Sequence, residues 1–350
     1  MGSRTFAQAI NDAHHVVMSS DPSVICFGLG VTDPKAIFGT TKGLAESFGP
    51  ERVFDVPTSE AALTGVATGA ALGGLRPIMT HQRLDFFLLA MDQLVNAAAK
   101  WHYMFGSQTP VPLTIRLIVG RGWGQGPTHS QNLQAWFAHI PGLKVVMPSS
   151  PFDAKGLFIS SVRDPNPTLF IEHRWLHQAV GEVDDGDYEV PLGVGALLEE
   201  GEDATIVASS IMTTEAIRAT RVLRSQGINC DLIDLRTLRP IDWKMIEDSI
   251  KKTGRLLAVD SGYKTGSIAS EIVSQVVQRN FASLKCAPRV VAMPDIPEPT
   301  SFGLTKGFHV GSQNIAKAVT DLCGRGDISH DTFQEPDDHD IPGNWFKGPF

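Results

Sequence analysis

A chain of 350 residues is longer than one compact core usually supports and suits two domains of roughly 100–200 residues each. Hydrophobic residues make up 42% and charged residues 19%, the balance of an ordinary globular protein, and a formal charge of −8 argues against the clustered Lys and Arg that a nucleic-acid surface requires. Four scattered cysteines (Cys26, Cys230, Cys286, Cys323) show no metal-ligand spacing, no signal-peptide pattern opens the chain, and no long apolar run crosses a membrane, so the expectation is reduced thiols in a cytoplasmic protein.

Taken in chain order, Phe6 to Ser20 carries apolar residues at helical spacing (Phe6, Ile10, Ala13, Val17). Val24 to Leu29 is a short apolar run that runs into Gly28 and Gly30 and suits a buried parallel strand. Ser59 to Gly74 is a helix of small residues, Arg76 to Met79 the next strand, Phe86 to Trp101 a long helix and Leu113 to Val119 a strand. After a glycine-rich loop, Gly120 to Gly126, comes Thr128-His129-Ser130-Gln131, and an acidic connector occupies Gly181 to Glu189. Beyond it, Ala204 to Ser209, Asn229 to Asp234 and Arg255 to Asp260 read as strands. They alternate with helices over Met212 to Gln226, Asp242 to Lys252 and Ser267 to Phe281, two of them stopped by Gly227 and Gly254. Strands alternating with helices indicate α/β layers with parallel sheets. From Arg325 onward the chain is a polar, acidic tail.

His129 has the side chain best suited to acid–base work near neutral pH, although most histidines in such loops are structural or simply exposed. The run Thr128-His129-Ser130-Gln131, Ala135-Trp136-Phe137, Pro141 to Pro148, together with Val53-Phe54-Asp55-Val56-Pro57-Thr58-Ser59-Glu60 and Asp234-Leu235-Arg236-Thr237-Leu238-Arg239-Pro240, resembles the β subunit of thiamine-diphosphate-dependent 2-oxo acid dehydrogenases. The resemblance spans residues 4 to 322. It implies an α/β fold of two doubly wound domains: a transketolase-like pyrimidine-binding domain over residues 1–180 and a transketolase C-terminal-like domain over 190–324, with 325–350 as a tail.

The resemblance also assigns roles. Thr58, Glu60, Gln82 and Phe86 become cofactor contacts, with Glu60 catalytic as the carboxyl that bonds N1′ of the aminopyrimidine and promotes its imino tautomer. Taken alone, Ser59-Glu60 reads as a helix cap followed by an acidic first-turn residue. Phe86 would lay its ring on the pyrimidine, worth about 0.5–1.5 kcal/mol beyond burial; its alternative is core packing at a helix start. His129 would be catalytic on the substrate side, steadying the 2-oxo acid or a developing oxyanion. Leu113, Thr114, Ser161, Asp164 and Asn166 match a monovalent-cation (K+) site, though Asp164-Pro165-Asn166-Pro167 is also a turn that needs no ion.

Departures from the family text bear on the substrate. Thr80-His81-Gln82-Arg83-Leu84-Asp85-Phe86 adds His81 and Arg83, and Arg121 and Trp123 stand ahead of His129. Arg83 and Arg121 are either substrate ligands for a carboxylate or phosphate, or surface salt-bridge partners. The chain has no Gly-Asp-Gly, the family's diphosphate and Mg2+ motif. The expectation is therefore an enzyme active only with an α subunit that holds most of the Mg2+, as an α2β2 heterotetramer. Its function would be decarboxylation of a 2-oxo acid and reductive acyl transfer to a lipoyl group on an acyltransferase. The alternative is a two-subunit carboligase passing the acyl unit to an aldehyde, ketone or sugar. A subunit without catalysis is disfavoured by the intact Glu60, Gln82, Phe86 and His129.

Overall fold

A computed structural model describes residues 1–120 and 124–326 and the isolated positions 341, 343 and 346. Two compact units emerge, one of residues 1–121 and 136–192, the other of 122–135 and 193–350. Arg121, Trp123 and most of the tail lie outside the described residues.

In the first unit the chain runs β1 (Gly2–Thr5), α1 (Phe6–Ser20), β2 (Val24–Gly28), α2 (Leu44–Phe48), β3 (Val53–Asp55), α3 (Glu60–Leu72), β4 (Arg76–His81), α4 (Leu84–Phe87), α5 (Ala99–Met104), β5 (Thr114–Val119), α6 (Gln134–His139), β6 (Lys144–Val146), α7 (Pro151–Arg163), β7 (Thr168–His173) and β8 (Val180–Val183). Parallel pairing gives the order β6-β7-β5-β4-β2-β3. Every residue of β5 and β7 is buried, as strands covered on both faces should be. α1 starts where it does because Thr5 Oγ1 accepts from the Gln8 amide at 3.1 Å while Gln8 Oε1 accepts from the Thr5 amide at 2.8 Å. Its buried stripe of Phe6, Ile10, Ala13 and Val17 faces the core, each larger side chain contributing about 1.5–3 kcal/mol.

Two readings of the sequence change. The helix expected over Phe86 to Trp101 is helical but not uniform: α4 tightens into a 3-10 turn at Leu88–Ala90, then widens into a π-helical stretch at Gln93–Ala98 before α5. The connector begins as β8, which pairs antiparallel with β1 (Gly2 opposite Val183), a short two-stranded ribbon that too few residues announce in the sequence.

The second unit contains β9 (Ala196–Glu199), β10 (Ala204–Ala208), α8 (Ile211–Ser225), β11 (Cys230–Asp234), β12 (Thr237–Arg239), α9 (Trp243–Thr253), β13 (Leu256–Tyr263), α10 (Ile268–Asn280), β14 (Arg289–Met293), α11 (Phe302–Thr305) and α12 (Ser312–Leu322). Its sheet has the order β14-β13-β10-β11-β9, parallel except for β9. α9 is capped at both ends: Asp242 at its start accepts from the Met245 amide at 3.1 Å, and Gly254, at φ 72°, closes the far end.

The core of the first unit holds charge. Arg116 is fully buried and forks onto Glu172 (Nε–Oε1 2.7 Å, Nη2–Oε2 3.0 Å), with Nη2 also donating to Thr40 Oγ1 at 2.9 Å. His177 Nε2 reaches Glu172 Oε2 at 3.0 Å. Burial would raise the Glu172 carboxyl, but Arg116 and His177 outweigh it and hold it below the usual range. His14, on α1, packs its ring on Phe158 at 4.5 Å, with Nδ1 2.8 Å from the Ile10 carbonyl; burial first, and Arg116 second, lower it to about 3. A histidine held neutral in the fold loses stability for the fold as pH drops below its unfolded value near 6.5, until the folded value is reached. Between pH 7 and 5 this one group should remove about 2 kcal/mol from the unfolding free energy. Urea denaturation at the two pH values measures the loss, and His14→Leu should show a correspondingly smaller one; equal losses in both proteins would remove His14 from the account.

Candidate functional site

The first unit has its switch point between β2 and β4: the chain leaves β2 for β3 on one side and returns for β4 on the other. In open parallel sheets the crevice beyond the carboxyl ends of such strands is where ligands bind. Gly28 at the end of β2 stands abreast of both Asp55 and Thr80. Its backbone, at φ 159°, lies so close to β4 that an added Cβ would be 2.2 Å from the Thr80 carbonyl oxygen. Gly30 (φ 81°) makes a second close approach, where a Cβ would meet Gln82 Nε2 at 2.6 Å. The Gln82 amide donates to the Leu29 carbonyl at 3.3 Å, so the loops after β2 and β4 are joined across the switch point.

The segment after β3 reaches the same edge. Thr32 ties it down by donating its amide (3.2 Å) and hydroxyl (2.8 Å) to the Asp55 carboxylate. Thr58 is exposed and Ser59 takes the cap position of α3, yet Ser59 makes no side-chain cap bond. Glu60 opens the helix, half-buried, with its carboxylate near the positive end of the helix dipole. Among the described residues that carboxylate receives no hydrogen bond and pairs with no cation. Phe86, in α4, leaves 39% of its surface exposed while its neighbour Phe87 is fully buried, so core packing belongs to Phe87. Glu60, Gln82, Phe86 and Thr58 thus all follow the carboxyl ends of adjacent strands, and Leu29 and Gly30 join them. Sequence reading missed those two as site residues; the Gly28-Leu29-Gly30 pattern at a strand end was the available signal.

Arg83 is only 4% exposed and donates Nη1 to the Gly120 carbonyl at 2.7 Å, so it is not a surface salt-bridge residue. Its guanidinium secures the end of β5. Gly120 in turn lies against His173, where a Cβ would be 2.6 Å from the ring. Arg174, also buried, stacks over Phe38 at 4.2 Å and is lowered to about 10, by burial first and then by the charge of Arg83. His81 is buried against Phe87, 4.8 Å between ring centroids, and burial lowers it to about 4, so it stays neutral at physiological pH. Neither Arg174 nor His173 stood out in the sequence, because nothing local marks a buried cation.

The five residues expected to hold a monovalent cation gather where β5 begins and α7 ends. Thr114 Oγ1 donates to the Ser161 carbonyl at 3.1 Å, the Leu113 carbonyl accepts from Thr168 at 2.9 Å, and Asp164 Oδ1 accepts from the Asn166 amide at 2.8 Å. Lys144 pairs with the other Asp164 oxygen, and Arg76 Nη1 donates to the carbonyls of Val162 (2.9 Å) and Asp164 (3.4 Å). The donors are hard oxygens, as K+ prefers. Lys144 already neutralises the Asp164 carboxylate, which leaves main-chain and hydroxyl oxygens for an ion.

His129 lies in the second unit, half-buried, with Nδ1 3.0 Å from Thr128 Oγ1. Arg121 is outside the described residues.

Comparison with known proteins accounts for both units. Residues 3–178 match the pyrimidine-binding domain of transketolase, and residues 193–315 match the transketolase C-terminal domain. The chain is 40% identical over 321 residues to the β subunit of acetoin:2,6-dichlorophenolindophenol oxidoreductase of Cupriavidus necator, covering 89% of this chain and 95% of that protein. It is 39% identical to the pyruvate dehydrogenase E1 component β subunit of Rhizobium meliloti (92% of this chain, 70% of that one) and 38% identical to that of Rickettsia bellii (91% and 98%). A solved structure titled a split-gene transketolase, inactive β4 tetramer, superposes with a TM-score of 0.74 at 21% identity over 93% of this chain and 100% of the other, a likeness of fold. The chain therefore belongs to the transketolase-like family of β subunits that pairs a pyrimidine-binding domain with a transketolase C-terminal domain.

Proposed function

We propose that this chain is the β subunit of a thiamine-diphosphate-dependent 2-oxo acid dehydrogenase, active with a separate α subunit in an α2β2 assembly that passes its acyl product to the lipoyl group of an acyltransferase. The observation that carries the reading is the Glu60 carboxylate, held without an internal partner among the described residues at the carboxyl edge of the strands that also present Gln82 and Phe86. When bound, thiamine diphosphate supplies the carbon nucleophile and electron sink that no amino-acid side chain offers. Glu60 would hold the proton at the pyrimidine ring nitrogen, and the Phe86 face would carry the ring. Gln82 and Thr58 supply polar contacts beside it. His129 would stand on the substrate side as a proton donor and oxyanion partner. The chain lacks Gly-Asp-Gly, in keeping with a diphosphate and Mg2+ held by the partner. K+, where bound, would rest on the oxygens of Leu113, Thr114, Ser161, Asp164 and Asn166. All four cysteines are free, which suits a reducing cytoplasm, and among the described residues no helix is long and apolar enough to cross a membrane.

We place the α subunit on the outer face of α3 and the helical segment that packs against it. Val66 is 61% exposed and Leu89 71%, with Tyr103, Met104 and Phe105 exposed further along. Gly65 brings the two elements together, its Cβ position 3.5 Å from Gln93 Oε1. An apolar face of this kind, continuous with the helix that Glu60 begins, calls for a covering protein. Val66→Asp should prevent co-elution with the α subunit in size-exclusion chromatography without unfolding the chain; unchanged co-elution would move the interface elsewhere.

Two substitutions test the chemistry in the reconstituted pair. Glu60→Gln should abolish 2-oxo acid decarboxylation, and near-normal turnover would remove Glu60 from its role. His129→Ala should leave cofactor binding intact, read by calorimetry, while lowering kcat by roughly 10²–10⁴-fold. A pair that cleaves acetoin and no 2-oxo acid would shift the assignment to the acetoin type.

A further inference from the structure

The loop that carries His129 is fastened at three points within the second unit. Gly126, at φ 70°, lies against Thr300, where a Cβ would be 2.3 Å from Oγ1. The Asn132 carbonyl lies over Gly262, 3.0 Å from where its Cβ would stand. At the far end Gln134, 2% exposed, donates Nε2 to Asp260 Oδ1 at 2.6 Å and to Ser261 Oγ at 3.2 Å. Asp260 is itself 4% exposed, and its carboxylate is fixed from the other side: Oδ1 accepts from the Gly262 amide at 2.8 Å, and Oδ2 from the Ile268 (2.9 Å) and Ala269 (3.4 Å) amides at the start of α10. The Gly262 amide and a helix N-terminus thus pin one acceptor, which a side chain from the His129 loop also reaches. Gln134 Oε1 is buried with no partner among the described residues, so the side chain is held by its donor end alone.

A side chain that fills an apolar gap would not be amide-tipped, and burying a carboxylate for helix capping alone is costly where Ser267 already caps α10 at the Ser270 amide. We infer that Gln134 and Asp260 are positioning residues for His129, a clamp by which the C-terminal domain fixes the height of the imidazole loop. Placement matters because a displacement of about 1 Å in a reacting group lowers a rate by about a hundredfold. The inference rests on the role proposed for His129.

The test is a double-substitution cycle in the reconstituted α/β pair, using Gln134→Met, which keeps the bulk and removes the donor, and His129→Ala. Gln134→Met should lower kcat about tenfold while leaving the KM for thiamine diphosphate unchanged, a split that general loosening of the fold would not produce. In the His129→Ala background the same substitution should have no further effect, because the group it positions is gone. A native kcat in Gln134→Met, beside an impaired His129→Ala, would overturn the clamp and leave the His129 role standing. So would an equal tenfold loss in both backgrounds. Full activity in His129→Ala would instead overturn the role of His129 and the clamp with it.

Discussion

The site depends on how closely β2 and β4 approach at their carboxyl ends. Two parallel strands whose following connections diverge leave a crevice between them, and its shape is set by the last residues of each. Here Gly28 allows the Thr80 carbonyl to lie where any side chain would collide, and Gly30 does the same for the Gln82 amide. With no Cβ at Gly30 in its way, Gln82 Nε2 donates to the Leu29 carbonyl. Glu60 reaches the same edge because β3 flanks β2 on the other side and Asp55 is held by Thr32. Close approaches at two glycines join the loops after β2 and β4, the Thr32–Asp55 contact ties in the third, and the loops after β3 and β4 deliver Glu60, Gln82 and Phe86.

Behind that edge the first unit carries an arrangement that stability alone does not favour. Replacing a buried ion pair by apolar side chains of similar volume is often neutral or stabilising, whereas breaking one costs about 3–5 kcal/mol. Arg116 and Glu172 sit on neighbouring central strands, β5 and β7, and their bidentate contact extends through Thr40 into the loop after β2 and through His177 into the turn after β7. Apolar packing would fill the same volume without fixing those two loops. The ion pair is thus better understood as specifying where they stand than as a source of net stability.

Periodicity and punctuation made most of the architecture legible. α1 lies over the residues its apolar spacing marks, and Gly227 and Gly254 end α8 and α9. Elements stabilised from outside themselves were not legible. β1 and β8 are short strands that exist because they pair with each other, and the π-helical stretch at Gln93–Ala98 arises where the helix packs on α3. The site divides the same way. Glu60, Gln82 and Phe86 follow strand ends and can be read from words in the chain. Arg83 reads from sequence as either a substrate ligand or a surface salt-bridge partner, because nothing local shows that the Gly120 carbonyl will be its acceptor. Asp260 lies 126 residues from Gln134, a separation no local pattern spans.

The relatives differ in substrate: one is named for acetoin, a neutral hydroxyketone, and others for pyruvate, an anion. The two named substrates differ in charge, so a distinction between them falls on the electrostatics of the site. Arg83 follows Gln82 directly, and Arg174 stands close enough to be lowered to about 10 by burial and by the charge of Arg83. Neither guanidinium is exposed enough to grip a substrate. Their fields still act through a low-dielectric interior, where screening by salt is weak. Two guanidiniums packed this close beside the Gln82 loop make that edge the place where an anionic and a neutral substrate would be told apart.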